Sequence, residues 1–341
     1  MLPQLRDARL WAGPMTTRRV RNAYQLWHSF RQAHKSGKPQ VQGLPFSISM
    51  EPTTACNLRC PECPSGLRAF TRPTGNLKNE LFTQVIDELS KDLWALTFYF
   101  QGEPFINPKF LEMVHYAHRK GLYTNTSTNG HFLTEAKAEE TVRSGLSRLI
   151  ISIDGTDQET YSAYRREGTL ATVIEGAERV VKWKRKLKSA TPHIVFQFLV
   201  VRPNEHQVPE ARKLAKQIGV DDLWLKTAQV YDPHDDHPLI PVQDKYSRYK
   251  RNPDGTWAVK HTLKDECWKM WHSCVITWDG KVVPCCFDKD AKWVLGDLRK
   301  QSFHEIWNGS AYNAFRRRLF SDRSSIDICR NCTEGCPVWA R

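Results

Sequence analysis

From residue 46 to about residue 226 the chain repeats one unit, a short apolar run of strand length followed by an amphipathic stretch of helix length. The candidate strands fall at 46–51, 95–100, 123–126, 148–153, 193–201 and 222–226, and helical spacing covers 79–91, 108–120, 134–144, 170–188 and 207–217 between them. Parallel strands need a long crossover, usually a helix, so this alternation predicts βαβ units and a parallel sheet. Six such units over residues 46–227 fit an α/β fold, a partial (β/α)6 TIM-like barrel. The loops that carry function in such folds lie at the carboxyl ends of the strands.

The loop after the first predicted strand reads Cys56-Asn57-Leu58-Arg59-Cys60-Pro61-Glu62-Cys63, three thiols spaced C-x3-C-x2-C. Thiolates are soft ligands suited to iron–sulfur clusters or zinc. Three of them close neither a four-iron cluster nor a tetrahedral zinc site. Either one metal position stays open for chemistry, or a fourth ligand elsewhere completes a zinc knuckle. The setting favours metal over disulfides. Residues 1–14 contain Arg6, Asp7 and Arg9 with no apolar signal core, and no apolar stretch reaches membrane-spanning length. A cytoplasmic, reducing location is expected, where cysteine clusters read as metal ligands first.

The spacing of Cys56, Cys60 and Cys63 on the loop after a first strand resembles the signature of the radical S-adenosylmethionine (radical SAM) enzymes. That resemblance implies a [4Fe–4S] cluster on the three cysteines, with the fourth iron left to the amino and carboxylate groups of SAM. Glu62 stands where the family usually has an aromatic residue. Gln101-Gly102-Glu103-Pro104 is similar to the family's Gly-Gly-Glu-Pro stretch, with Gln101 in place of the first glycine. Gly102 admits close backbone approach, and Glu103 can pair with the SAM ammonium through a charge-assisted bond. Ser127-Thr128-Asn129-Gly130 resembles the family's turn beside the cofactor. Ser152-Ile153-Asp154-Gly155 with the downstream Arg165 resembles its ribose and carboxylate contacts, for which a planar guanidinium is suited. Gln197 and Val200 on the fifth strand, and Asn204-Glu205-His206 after it, are further cofactor-side candidates. Read in isolation, each of these is a turn or a solvated surface pair; together they line up at strand ends.

Seven of the ten cysteines fall in the last 75 residues. A hairpin pattern at 275–284 and helical stretches at 303–307 and 310–320 accompany them. The text Thr277 to Cys286, then Gly296-Asp297-Leu298, Glu305-Ile306-Trp307-Asn308 and Cys329-x2-Cys332, is similar to the SPASM/Twitch auxiliary modules of radical SAM enzymes. Cys267, Cys285, Cys329 and Cys332 make a four-thiolate set for one auxiliary [4Fe–4S] cluster; Cys286 can replace Cys285, and Cys274 and Cys336 are left over. The same pairs also suit a structural zinc ribbon.

The expected organisation is therefore a basic amphipathic arm (1–45), the barrel (46–227), a linker (228–265) and a small Cys-rich hairpin-plus-helix module (266–341). The net charge of +13 is concentrated in the arm, which holds eight Lys/Arg against the single acid Asp7. Helical spacing at 17–35 places Val20, Ala23, Tyr24, Trp27, Phe30 and Ala33 on one stripe. That stripe is expected either to pack on the main domain or to dock on an anionic membrane surface or an acidic partner. Tyr231 to Pro238, with two His and three Asp, reads as a polar linker.

The function that the resemblance implies is reductive cleavage of SAM to a 5′-deoxyadenosyl radical, which takes hydrogen from a substrate C–H. Oxidation or modification of a small molecule, sugar or lipid-linked intermediate is expected, with peptide modification as the alternative. A one-electron donor such as flavodoxin or ferredoxin is the implied partner. No nucleic-acid partner is expected, although a zinc-containing nucleic-acid-binding protein is the competing class, given the basic arm, twelve tryptophans and C-x2-C pair.

Overall fold

The computed structural model describes residues 3–261 and 264–333. Cys336, and with it the last stretch of the expected C-terminal module, lies outside the described residues. Six strands, β1 (Ser47–Met50), β2 (Ala95–Thr97), β3 (Tyr123–Thr128), β4 (Arg148–Ser152), β5 (His193–Val200) and β6 (Asp222–Thr227), lie side by side in chain order, every pair parallel. Between them run α4 (Asn79–Leu89), α5 (Phe110–Arg119), α6 (Glu135–Arg143), α8 (Leu170–Lys186) and α9 (Val208–Ile218). Sequential order with crossovers of one hand puts these helices on one face, the arrangement of an open partial barrel. Predicted and observed ends differ by a few residues, because end turns carry a weak apolar period. The short helices α3 (Pro64–Leu67) and α7 (Gln158–Tyr164) had no such period to reveal them.

The sheet does not stop at β1. Beyond a two-stranded ribbon in the linker, β7 (Tyr249–Arg251) with β8 (Trp257–Val259), the hairpin β9 (Ser273–Ile276) and β10 (Lys281–Val283) docks with β9 parallel to β1. A short β11 (Gly296–Asp297) adds to the hairpin, giving a nine-stranded sheet in the order β11-β10-β9-β1-β2-β3-β4-β5-β6. Helices α10 (Lys269–His272), α11 (Phe303–Asn308) and α12 (Ser310–Asp322) complete the C-terminal part. The fully buried Arg316 of α12 lies over the rings of Trp307 and Tyr312 and donates to the Trp307 carbonyl at 2.9 Å.

The arm closes the amino-terminal end of the strands. Helix α1 (Pro3–Ala12) brings Asp7 onto Arg148 and the Tyr123 hydroxyl, and Trp11 stacks on Trp94. Helix α2 (Thr17–Ser36) starts at the Thr16 cap and ends at Gly37, whose φ of 66° is the left-handed conformation glycine accepts without strain. Its buried face differs from the expected apolar stripe: Arg19, Asn22, Leu26, Ser29 and Ala33 are inside, whereas Val20, Tyr24 and Trp27 face solvent. The reason lies in the neighbouring helix ends. Arg19 donates to the carbonyls of Ser90 at 2.7 Å and Lys120 at 3.3 Å, and to Gly121 at 2.7 Å, so one cation satisfies the carboxyl ends of α4 and α5.

At the other end of the strands, Glu51 follows β1 and is fully buried. Its carboxylate takes both Arg72 nitrogens, at 2.8 and 2.5 Å, and the Trp278 backbone N–H at 3.2 Å. One side chain thus joins the sheet, the returning limb of the cysteine loop and the β9–β10 turn. Removing one partner of a buried ion pair strands the other charge, so Arg72→Ala is expected to lower unfolding free energy by about 3–5 kcal/mol. Denaturant titration checks this, and the surface variant Arg143→Ala should change little by comparison.

Candidate active site

A cavity of about 260 Å³ opens where the carboxyl ends of the strands meet the cysteine loop. Cys56, Cys60, Cys63, Gly102, Glu103, Ser127, Asn129, Ser152, Arg165 and Gln197 line it together. Pro104 does not reach the wall; it sits at the start of a short 3-10 turn, where it shapes the backbone after Glu103. Val200 is packed in the core, and Asn204 donates to the carbonyls of Asp154 and Leu199 at 2.9 Å each, so these residues brace the site from behind. Glu205 receives the backbone N–H groups of Val242 and Gln243 and holds the linker.

Gly102 carries the second loop into the site. Its φ is +74°, its N–H donates to Ser65 Oγ at 2.8 Å, and a Cβ there would lie 2.3 Å from the Thr53 carbonyl. Next along, the Glu103 N–H donates to the Ala55 carbonyl at 2.7 Å, so the Glu103 loop is laid directly on the cysteine loop. Burial pushes the Glu103 carboxyl up to about 7, although Asn129 N–H, Thr128 hydroxyl and Phe105 N–H all donate to it. Thr128, the first residue of the Thr-Asn-Gly turn, donates to this carboxylate at 2.7 Å.

Arg165 is the cationic counterpart. Its Nε donates to Asp154 at 2.5 Å and its Nη1 lies 3.8 Å from Cys60 Sγ. Burial opposes its charge, but Asp154, Cys60 and the Tyr164 and Tyr161 rings outweigh that and raise its affinity for the proton. Asp154 is fully buried and is itself held by the Leu199 N–H at 2.7 Å. Arg166, its chain neighbour, is exposed. The Asn129 amide reaches Asn57 Oδ1 at 2.7 Å and Cys56 Sγ at 3.9 Å, and the Leu58 N–H lies 3.5 Å from the same sulfur. Burial pushes the Cys56 thiol up to about 11.

The donor set fits an iron–sulfur cluster. Three thiols ring one cavity, N–H groups point at the sulfurs, and a carboxylate and a guanidinium flank the open side. Among the described residues no three His, Cys, Asp or Glu side chains converge as they would on a single ion. A cluster places its thiolates around a volume rather than on one point. The C-terminal thiols behave likewise. Cys267, Cys329 and Cys332 are gathered near Arg323, whose Nη2 lies 3.5 Å from Cys332 Sγ, and Cys285 lies near Cys267 and Cys332. Cys286 is exposed and Cys274 is buried within β9.

Glu62 has a role its position in the motif did not announce. It accepts the Tyr231 N–H at 2.9 Å and so draws the linker over the cysteine loop. Lys289, from beyond the hairpin, also lines the cavity, and it borders a second cavity of about 560 Å³ beneath the C-terminal part. No motif marked it, because its place depends on how distant segments pack.

A parallel-stranded α/β scaffold with a three-thiol loop, a buried carboxylate and a half-buried arginine at its strand ends is the arrangement of a cluster-dependent enzyme. Comparison with known proteins gives the family: residues 50–215 match the radical SAM superfamily, residues 267–333 match the SPASM iron–sulfur cluster-binding domain, and the chain belongs to the radical SAM enzymes. It is similar to the tungsten-containing aldehyde ferredoxin oxidoreductase cofactor-modifying protein of Pyrococcus furiosus, at 25% identity over 84% of this chain and 86% of the relative. It is similar also to the PqqA peptide cyclase of Gluconobacter oxydans, at 27% identity over 84% of this chain and 82% of that one. In fold it resembles Streptococcus suis SuiB bound to S-adenosylmethionine, with a TM-score of 0.63 at 12% identity, covering 92% of this chain and 77% of SuiB. The cofactors are those of this class, a [4Fe–4S] cluster with SAM and auxiliary iron–sulfur ligation in the SPASM domain.

Gly102→Ala tests the loop contact. The added Cβ meets backbone on the cysteine loop, so the two loops must part, and the reconstituted variant is expected to hold less iron and to bind SAM at least about tenfold more weakly, a loss of about 1.4 kcal/mol or more. Iron analysis and a SAM titration read both effects.

Proposed function

We propose that Cys56, Cys60 and Cys63 hold the SAM-binding cluster, and that the protein directs the resulting radical chemistry at a C–H bond of a peptide. The observation that carries the reading is the convergence of the three thiols, Glu103 and Arg165 on one cavity. When bound, the cluster supplies the electron that opens SAM and starts hydrogen abstraction. The chain's own contribution is to bind and orient. Glu103 accepts an N–H of the SAM amino group. Arg165, fixed through Nε by Asp154, offers its remaining N–H groups to the SAM carboxylate. Ser127, Asn129, Ser152 and Gln197 line the path of the nucleoside. Cys267, Cys285, Cys329 and Cys332 hold one auxiliary cluster.

A peptide substrate is supported by the Gluconobacter relative, which is named for a peptide it cyclises. A small-molecule substrate stands as the second reading, favoured by the Pyrococcus relative, whose name specifies a cofactor. A one-electron donor of the flavodoxin or ferredoxin kind is the partner this chemistry requires.

Anaerobically reconstituted protein is expected to contain about eight irons, and the Cys56/Cys60/Cys63 triple alanine variant about four. That variant should no longer form 5′-deoxyadenosine under reduction. A variant that keeps all its iron and still cleaves SAM would remove the assignment.

The pH dependence follows from Glu103. Its carboxyl sits at about 7, and the carboxylate is the form that accepts from the SAM amino group, so binding SAM below that pH must release a proton. SAM affinity is expected to fall toward about tenfold per pH unit on the acid side of that value. Glu103→Gln should bind weakly without that slope, as equilibrium titrations across the range will show.

A further inference from the structure

The solvent face of α2 carries an arrangement that neither core packing nor the active site uses. Val20, Tyr24 and Trp27 are 50%, 61% and 50% exposed. Tyr24 and Trp27 are in ring contact at 6.0 Å, and His28 stacks on Tyr24 at 6.1 Å. Helical spacing puts Val20, Tyr24 and His28 in one row and Trp27, Arg31 and Lys35 in the next, with Arg21 beside them. Arg21, His28, Arg31 and Lys35 are all exposed, and α2 contains no acidic residue. The acids that pair with the helix, Asp92 and Glu266, engage Arg18 and His34 instead.

This face is not a remnant of imperfect packing. The opposite face of the same helix buries Arg19 and Asn22, with backbone partners for the Arg19 Nη groups and the Asn22 amide, while Tyr24 and Trp27 are turned outward. Single exposed apolar residues are ordinary on protein surfaces. Here they form a stripe with a Trp and a Tyr, set among cations, on a helix too polar to cross a bilayer. That is the composition of a helix lying in a membrane interface, where rings sit at headgroup depth and Lys/Arg meet anionic lipid.

We propose that the outer face of α2 docks the enzyme on an anionic lipid surface. The helix lies against the carboxyl ends of α4 and α5, at the amino-terminal end of the strands, whereas the cavity opens at the carboxyl end. Docking by this face leaves the active-site mouth toward the aqueous side. The lipid surface is then a place of residence, and the substrate is collected from solution.

The test is sedimentation of the full chain with vesicles of phosphatidylcholine alone and of phosphatidylcholine with phosphatidylglycerol, at low and high salt. Binding to the anionic vesicles, weakened by salt and nearly absent on the neutral ones, is expected. Arg21→Gln/Arg31→Gln/Lys35→Gln should weaken it roughly a hundredfold, at about fivefold per cation. Val20→Ser/Tyr24→Ser/Trp27→Ser should also release the protein from the vesicles while leaving iron content and SAM cleavage unchanged. Equal binding by the wild type and the aromatic variant overturns the proposal. So does binding to duplex DNA without binding to vesicles, or a wild-type dimer that the aromatic variant dissociates in light scattering.

Discussion

The buried carboxylate of Glu51 is the constraint on which the rest of the structure depends. It stands where β1 ends, and it collects Arg72 from the far limb of the cysteine loop and the Trp278 N–H from the hairpin turn. Burial raises the proton affinity of this carboxyl, and the two Arg72 bonds oppose that rise. An ion pair in this position gives little net stability, since its desolvation offsets most of its attraction. What it gives is geometry. The loop that carries three thiols is fixed at both ends, by β1 before Cys56 and by Arg72 after Cys63, and the SPASM domain is keyed to the same point.

Around that loop the polar groups are arranged in tiers. Asp154 orients Arg165; Thr128 and the Asn129 backbone orient Glu103; the Asn129 amide and Leu58 N–H face Cys56. Each charged group that faces the cavity is held by a hydrogen-bonding neighbour, Asp154 from behind the wall and Thr128 and Asn129 from within it, so the cavity wall is set before any ligand arrives. The opposite charges of Glu103 and Arg165 suit a zwitterionic amino-acid end. Lys289, reaching in from the SPASM side, makes the far wall cationic as well.

Most of the strands were legible because parallel strands buried on both faces read as apolar runs, and the intervening helices because one face of each is apolar; β3, Tyr-Thr-Asn-Thr-Ser-Thr, was legible only from its place in the alternation. The cavity residues were legible only through family motifs; Arg165 beside Arg166 looks locally like a surface pair, and only the fold turns the first inward onto Asp154 and the second outward. Two features escaped for physical reasons. The orientation of α2 is decided by the helix-end carbonyls that Arg19 satisfies, and periodicity counts arginine as polar and therefore outside. The union of β9 with β1 is a pairing across more than 200 residues, and no local pattern encodes a partner that far away.

That pairing also sets an order of events during synthesis. Met50 of β1 is matched with Ile276 of β9, so one edge of the first strand stays bare until the hairpin has left the ribosome. A bare edge strand is an open template for the wrong neighbour. The nascent barrel must therefore travel through most of its translation with an unprotected flank, directly beside the loop that carries the thiols. The carboxyl-terminal hairpin is therefore the piece that finally covers the edge of β1, beside the cysteine loop.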